Sequence, residues 1–207
     1  IGSDISTSVP MLRLVQGDVG SGKTVVAALA AVQTIANSKQ VALMAPTEIL
    51  AEQHRVNFEQ WLQPLGIRIA WLTGKVKGKA RDVQLAAIAD GTAQMVIGTH
   101  ALFQESVNFK DLGLSIIDEQ HRFGVHQRLA LRSKGFSVDP SANIDGSAPH
   151  QLIMTATPIP RTLAMSAYAD LDCSVIDELP PGRTPVDTLV LSNLRRPDVI
   201  ERVRASC

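Results

Sequence analysis

The chain has 207 residues, of which 45% are hydrophobic and only 4% aromatic, so it can bury a largely aliphatic core as one large domain or one domain plus part of another. Its 20 basic and 20 acidic residues cancel to a formal net charge of zero. Global charge therefore gives no support for nucleic-acid binding, which has to be argued from local placement.

Apolar runs alternate with stretches at helical spacing along the first half of the chain. The ten opening residues are polar and predict a loop that enters a strand. Strands are predicted at residues 12–15, 40–45, 67–72 and 95–97, with helices at 23–36, 48–65 and 80–89. Thr47 is suited to cap the second helix, and Gly66 to end it. The apolar stripes are Val25, Val26, Leu29, Val32 and Ile35 in the first helix, and Phe58, Trp61, Leu62 and Leu65 in the second.

The second half continues the alternation. Strands are predicted at 114–117 and 152–154, helices at 125–132 and 161–169, and a surface loop at 135–149. This pattern predicts an α/β fold of three layers, αβα, with a mainly parallel sheet. Residues 180–185 read as a stiff linker, followed by a strand at 186–191 and the start of a helix at 197–205. We therefore expect one domain over residues 1–184, and in residues 185–207 a linker and the truncated start of a second domain.

A glycine-rich turn, GDVGSGKT at residues 17–24, lies between the first strand and the first helix. Gly17, Gly20 and Gly22 let the backbone turn where side chains would collide with phosphate, so that N–H groups of the loop, Ser21 included, point inward. Lys23 can reach the β- and γ-phosphates, and the Thr24 hydroxyl can bind magnesium. This P-loop predicts Mg-ATP binding; the alternative is a glycine-rich turn with an exposed lysine.

An acidic pair follows the strand predicted at 114–117. Asp118 and Glu119 stand at its carboxyl end, the edge where ligands bind in open parallel sheets. Asp118 would hold Mg²⁺ through water, and Glu119 would orient the attacking water and accept its proton. Together with the P-loop the pair predicts an ATPase; by itself, an Asp-Glu at a strand end is common.

Longer strings narrow this class to a family. DEQH at 118–121 resembles the DExH box of superfamily-two helicases, and TAT at 155–157 matches their third motif. GDVGSGKT, DEQHRFGVHQR and TATPIPRTLAMSAYADLD together look like the RecG family of bacterial branched-DNA translocases, over residues 11–190. The resemblance implies a RecA-like P-loop fold, with ATP and Mg²⁺ bound by the first of two motor domains.

Residue roles follow from the resemblance where the motifs match. It implies phosphate and metal contacts for the loop from Gly20 to Thr24, and metal binding and hydrolysis for Asp118 and Glu119. Coupling of hydrolysis to DNA movement is implied for Gln120, His121, Thr155 and Thr157. A track for one DNA strand is implied for Pro46, Thr47, Thr73, Gly74, Gly98, Thr99 and His100. Backbone amides and small hydroxyls suit phosphate oxygens, although Gly-Thr pairs at strand ends are also ordinary turns.

Other polar residues leave alternatives open. Lys75, Lys77, Lys79 and Arg81 either contact DNA phosphates or coat a solvated helix start. Arg161 follows the TAT turn, and its role is either coupling, contact with DNA or packing. His54, His126 and His150 are interpreted as surface or core residues, and Trp61 and Trp71 as core residues.

The resemblance also predicts the partners of the longer protein and a low ATPase activity for this chain alone. In this family a second motor domain donates arginines to the γ-phosphate, so this chain by itself should hydrolyse ATP barely, and a DNA-stimulated turnover above about 1 per second would refute that. The longer protein should be a monomer that remodels forks and Holliday junctions, with single-strand DNA-binding protein as a partner and no membrane. The two cysteines, Cys173 and Cys207, have no ligand spacing, which indicates a reducing cytoplasm without disulfides or zinc.

Two rival interpretations remain. The transcription-repair coupling factor shares the GDVG and TATPIPRT strings, although Gln120 and the string that begins AMSAYADLD favour the RecG family. A non-catalytic nucleotide-binding module is the rival from another class, and Glu119 argues against it, because mere binding needs no water-activating carboxylate.

Overall fold

A seven-stranded parallel sheet forms the centre of the molecule in the computed structural model, which describes residues 1–119, 148–157, 171–178 and 188–206. The spatial order is β3-β4-β2-β5-β6-β1-β7, and every pairing is parallel. All seven carboxyl ends therefore meet at one edge. The strands are β1 (Leu12–Gly17), β2 (Gln40–Met44), β3 (Ile69–Leu72), β4 (Met95–Gly98), β5 (Leu112–Asp118), β6 (His150–Thr155) and β7 (Asp172–Ile176).

Helices cover both faces of this sheet, which confirms the predicted α/β class. The helices of the described residues are α1 (Gly2–Ile5), α2 (Lys23–Ala36), α3 (Glu48–Leu62), α4 (Gly78–Ala89) and α5 (Arg196–Ser206). Two packed clusters divide the core, one beneath α2 and α3 and the other beneath α4 and the 3-10 turn at His100–Phe103. Among these helices none combines the length and the apolar character that a membrane crossing requires.

The central strands are buried on both sides, as parallel strands between helices require. In β2, Leu43 packs in the cluster under α2 and α3, whereas its neighbour Met44 packs in the opposite cluster. Ile116 and Ile117 of β5 divide in the same way. Successive residues of a strand point to opposite faces, so an uninterrupted apolar run is needed to fill both.

The predicted stripe of α2 is wrong in part. Its bounds are as predicted, but Val25 and Leu29 are exposed, and the buried face consists of Ala27, Ala28, Ala30, Ala31 and Thr34. Alanine side chains are short enough to let the helix backbone lie close to the sheet, which explains why the smaller residues face inward. In α3, Phe58 and Leu62 are buried as expected, but Leu65 is exposed in the following 3-10 turn.

Among the described residues, one helix and one strand escaped prediction. Residues 2–5 form a short helix instead of a loop, and its Asp4 carboxylate accepts a hydrogen bond from Arg13 Nε at 3.0 Å. Strand β7 pairs with β1 along five residue positions, and the Arg13 guanidinium donates to both Asp172 and Ser174. Strand β7 lacks an apolar pattern, and it is held in the sheet by backbone pairing and by the hydrogen bonds of Arg13.

The remaining predictions concern the second half of the chain. Residues 188–191 are not a strand, which corrects the prediction for 186–191, whereas α5 confirms the predicted helix near the end. The helices predicted at 125–132 and 161–169 and the linker at 180–185 lie outside the described residues, as does most of the loop at 135–149.

Candidate active site

The P-loop connects β1 to α2 at the carboxyl edge of the sheet. Gly20 and Gly22 have φ of 83° and 94°, values that side-chain-bearing residues rarely adopt. Gly17 has a different reason to be glycine, because a Cβ there would lie 2.5 Å from Ser21 Oγ and 3.1 Å from Ile176 Cβ. The loop is therefore shaped by backbone freedom at two positions and by close packing against β7 at the third.

The Lys23 side chain turns back over this loop. Its Nζ donates to the carbonyl oxygens of Gly17 and Asp18, both at 2.8 Å. The ammonium group is thus held at the mouth of the turn by weak, exchangeable acceptors. A phosphate oxygen that approached the loop would be a stronger acceptor, since hydrogen bonds between two charged groups are roughly twice as strong as neutral ones.

Asp118 ends β5 and contacts a residue of α3. Its Oδ2 lies 2.7 Å from His54 Nε2, and the side chains of the pair are only 14% and 8% exposed. The interpretation of His54 as a surface or core residue does not predict this contact. One signal was available: His54 shares the buried stripe of α3 with Ala51, Phe58 and Leu62, where a polar side chain needs a partner.

Glu119 takes a strained position immediately after the strand. Its φ is 51°, and its backbone N–H donates to Met154 O at 2.9 Å. The carboxylate accepts from Thr155 Oγ1 and from Ala156 N, both at 3.2 Å. Thr155 Oγ1 in turn accepts from Thr157 N at 3.1 Å. The residues of the predicted third motif therefore hold the second acidic residue directly.

These side chains line one cleft of about 620 Å³. Its walls include Lys23, Thr24, Asp118, Glu119, Ala156 and Thr157, with Thr47 and His54 contributed by α3. A volume of this size is typical of sites for small ligands and cofactors. The structure thus brings the P-loop and the acidic pair together at one edge, which is the geometry that the sequence interpretation required.

The DNA-track candidates lie at the neighbouring strand ends. Pro46 and Thr47 follow β2, and Thr73 and Gly74 follow β3. Gly98 ends β4, and Thr99 follows it. Thr47 caps α3 as predicted, accepting from Leu50 N at 3.3 Å. Thr73 and Thr99 are buried, and Thr99 Oγ1 has no hydrogen-bonding partner in the described part of the chain. His100 and Gly74 are exposed.

Close packing explains why residue 98 is a glycine, and the local sequence does not reveal this. A Cβ at this position would lie 2.0 Å from the Leu72 carbonyl oxygen of β3. At Gly74, in contrast, a Cβ would meet nothing within 4 Å. The first glycine is needed for strand packing, while the second has no such requirement.

The basic stretch is partly engaged by neighbouring side chains. Lys75 Nζ lies 2.6 Å from Glu48 Oε2, and this hydrogen bond raises the pKa of Lys75. Arg81 donates to Gln104 Oε1 at 2.6 Å, while Lys77 and Lys79 are exposed.

Trp71 packs against the core with the Arg55 guanidinium 5.4 Å from its ring centre. The coupling candidates Gln120, His121 and Arg161 lie outside the described residues.

Comparison with known proteins places this geometry in a family. The sequence model of the DEAD/DEAH box helicases matches residues 6–166. A protein of Escherichia coli described as ATP-dependent DNA helicase RecG is 67% identical over 204 residues, which are 99% of this chain and 28% of that relative. The RecG of Haemophilus influenzae is 65% identical over 207 residues, all of this chain and 29% of the relative. The chain therefore spans less than a third of the length of these relatives.

A solved structure agrees with the sequence relationship. The structure of RecG bound to a three-way DNA junction superimposes with a TM-score of 0.74 at 41% identity, covering 98% of this chain and 26% of that one. A DUF1998 helicase, MrfA, shares the fold at 19% identity and a TM-score of 0.62. With its parallel sheet, its P-loop and its acidic pair at one edge, this chain belongs to the DEAD/DEAH box helicase family.

Proposed function

We propose that the chain is the first motor domain of an ATP-dependent DNA helicase, that the longer protein binds and hydrolyses Mg-ATP in the cleft at the carboxyl edge, and that this chain by itself hydrolyses it barely. One observation carries the proposal: Lys23, Asp118 and Glu119 line the same cleft, and the carboxylate of Glu119 is held by Thr155 and Ala156. A module that only bound nucleotide would not need the second carboxylate to be fixed in this way.

The residues present fit a nucleotide with a divalent cation. The loop from Gly17 to Thr24 offers backbone N–H groups at the start of α2, and Lys23 exchanges its carbonyl acceptors for phosphate. Mg²⁺ is the cation we propose, because it prefers oxygen ligands and is commonly held by one or two carboxylates together with substrate phosphates. Asp118, through water, and the Thr24 hydroxyl would hold it. When bound, the cation neutralises charge on the phosphates.

Glu119 is the residue that we assign to hydrolysis. Its carboxylate would orient the attacking water and accept its proton. Thr155 and Ala156 keep this carboxylate in place, since each donates one hydrogen bond to it. The same contacts make Thr155 and Thr157 suitable to relay the state of the nucleotide, and we propose Gln120, His121 and Arg161 for the same coupling.

The strand ends beside the cleft suit one DNA strand. Thr47 borders the cleft as well as the end of β2, so a phosphodiester backbone over the ends of β2, β4 and β3 would run next to the nucleotide. Such contacts carry no sequence information, as expected for a translocating motor. Thr99 and Thr73 are buried beneath this path, so we propose that they shape the strand ends. Pro46, Gly74, Gly98 and His100 complete the proposed track.

The substrate and setting are proposed from the relatives. Since one relative was solved on a three-way DNA junction, we propose that the longer protein acts on branched DNA such as forks and Holliday junctions, as a cytoplasmic monomer that works with single-strand DNA-binding protein. We also propose that the motor domain ends near residue 184; the described residues from 188 to 206 are all exposed.

ATP turnover by the full-length protein on forked DNA tests this function. Glu119→Gln keeps the size of the side chain and removes the proton acceptor, so turnover should fall at least about 100-fold. Binding of a fluorescent ATP analogue should stay close to that of the wild type. Glu178→Gln, at an exposed glutamate that does not line the cleft, is the matched control and should behave as wild type. A Glu119→Gln protein that hydrolyses ATP at the wild-type rate would refute the assignment.

A further inference from the structure

His54 contacts the candidate metal-binding carboxylate from a different element. The residue lies in the second turn of α3, and its Nε2 is 2.7 Å from Asp118 Oδ2, across 64 positions of sequence. The imidazole is 8% exposed, so the bond is shielded from competition by water. Shielded hydrogen bonds to a charged acceptor are among the stronger ones in proteins.

The chemistry of the pair assigns the donor. A carboxylate only accepts hydrogen bonds, so Nε2 must carry the hydrogen and donate it to Asp118. The other ring nitrogen, Nδ1, is buried and has no partner among the described residues. Asp118 is therefore the group that orients the ring, and the ring in turn orients one oxygen of Asp118.

Helix α3 makes this contact rigid. Ala51 and Phe58, on either side of His54 along the buried stripe, are fully buried against the sheet. Thr47 caps the same helix two turns earlier, about 10 Å along its axis from His54. The imidazole is thus carried by a packed element and not by a loop.

We infer that His54 is a positioning residue: by donating from Nε2 to Oδ2 it fixes the Asp118 carboxylate in the orientation in which the other oxygen, Oδ1, faces the water shell of the cation. This inference rests on the proposed function, because it assumes that Asp118 binds the metal. Partners of metal-binding carboxylates typically contribute 10- to 100-fold to metal affinity or activity.

Nucleotide affinity of the full-length protein with and without Mg²⁺ tests the inference. Gln at position 54 places an amide N–H₂ near the position of Nε2, whereas Asn carries the same amide one methylene short of Asp118. We expect His54→Asn to raise the Kd of a fluorescent ATP analogue about 10-fold in Mg²⁺ and to leave it unchanged in EDTA. His54→Gln should restore most of the affinity in Mg²⁺.

Equal affinities of the Asn and Gln variants in Mg²⁺, or an equal loss with and without the cation, would overturn the inference. Thermal unfolding shows whether each variant is folded. If His54→Asn is not folded, His54→Phe replaces it, because Phe keeps a ring and lacks the donor. A loss of affinity in Mg²⁺ alone then supports the inference, and an equal loss with and without the cation overturns it. Gln60→Ala, an exposed position of α3, is the control.

A further variant separates this inference from the proposed function. Lys23→Ala should weaken nucleotide binding both in Mg²⁺ and in EDTA, because the ammonium contacts phosphate directly. Wild-type binding by Lys23→Ala would contradict the proposed nucleotide site, whatever the His54 variants do. Loss of binding by Lys23→Ala with no effect at His54 would contradict only the positioning role.

Discussion

The two halves of the carboxyl edge are built differently. In the P-loop half, formed by the ends of β1, β6 and β5, polar side chains are tied to one another: Asp118 to His54, and Glu119 to Thr155. In the β2–β4 half, formed by the ends of β2, β4 and β3, the chain offers small residues, and Thr99 Oγ1 has no partner among the described residues. One half links its polar side chains to one another, whereas the other presents Gly74 and His100 at the surface and keeps Thr73 and Thr99 buried.

This difference matches two kinds of chemistry. Hydrolysis requires a carboxylate held in a fixed position relative to water and metal, so its neighbours must hold it even at the cost of a φ of 51° at Glu119. Contacts of the proposed DNA track to a phosphate backbone require accessible groups, which the exposed Gly74 and His100 can supply. The contrast can be tested by comparing pairs of substitutions, either one in each half or both in the same half.

The largest effect is expected at Gly98. An added Cβ would collide with the Leu72 carbonyl at 2.0 Å, and backbone atoms cannot move aside easily. Gly98→Ala should therefore lower the free energy of unfolding by about 3 kcal/mol or prevent folding. Gly74→Ala, which meets nothing within 4 Å, should leave stability unchanged. Chemical denaturation measures both, and equal stabilities would show that close packing does not shape the β2–β4 half.

A smaller effect should separate two buried threonines. Thr155→Val removes a hydroxyl that donates to Glu119, so the free energy of unfolding should fall by about 1 kcal/mol and turnover should decrease. Thr99→Val removes a hydroxyl with no partner among the described residues, and stability should stay the same or rise. A destabilised Thr99→Val protein would contradict the proposed contrast between the halves.

The smallest effect is expected at the opposite edge of the sheet, where His150 begins β6. Burial lowers the pKa of His150, whose Nδ1 accepts from Met11 N at 2.9 Å. The unfolded chain then takes up a proton at higher pH than the native protein. Stability that is fully present above the ordinary histidine pKa of about 6.5 is therefore lost progressively below it. Asn can accept the same bond without titrating, so His150→Asn should show a smaller loss between pH 7 and pH 5 in denaturation curves. Parallel losses would exclude His150 as the cause.

Local patterns predicted the fold and the meeting of the P-loop and the acidic pair at one edge of the sheet. The P-loop and the acidic pair are contiguous strings whose residue types follow from phosphate and metal chemistry, and parallel strands necessarily bring their ends to one edge. The uninterrupted buried run of β2 likewise indicates that this strand lies in the centre of the sheet.

What escaped prediction depends on contacts between distant residues. The partner of His54 lies 64 positions away, so no local pattern links the two. The inward face of α2 was misjudged because hydrophobicity favours Val25 and Leu29, whereas close approach to the sheet favours alanine. Strand β7 is held by backbone pairing and by Arg13, neither of which leaves an apolar pattern in DCSVI.

The position of β6 between β1 and β5 sets the distance between two strands that end at the candidate site. Met154 pairs with Val15 on one side and with Asp118 on the other, so the backbones of Val15 and Asp118 are two strand spacings apart, or about 10 Å. That separation cannot vary without breaking a ladder of main-chain hydrogen bonds. The sheet therefore keeps these two strand ends at a constant spacing.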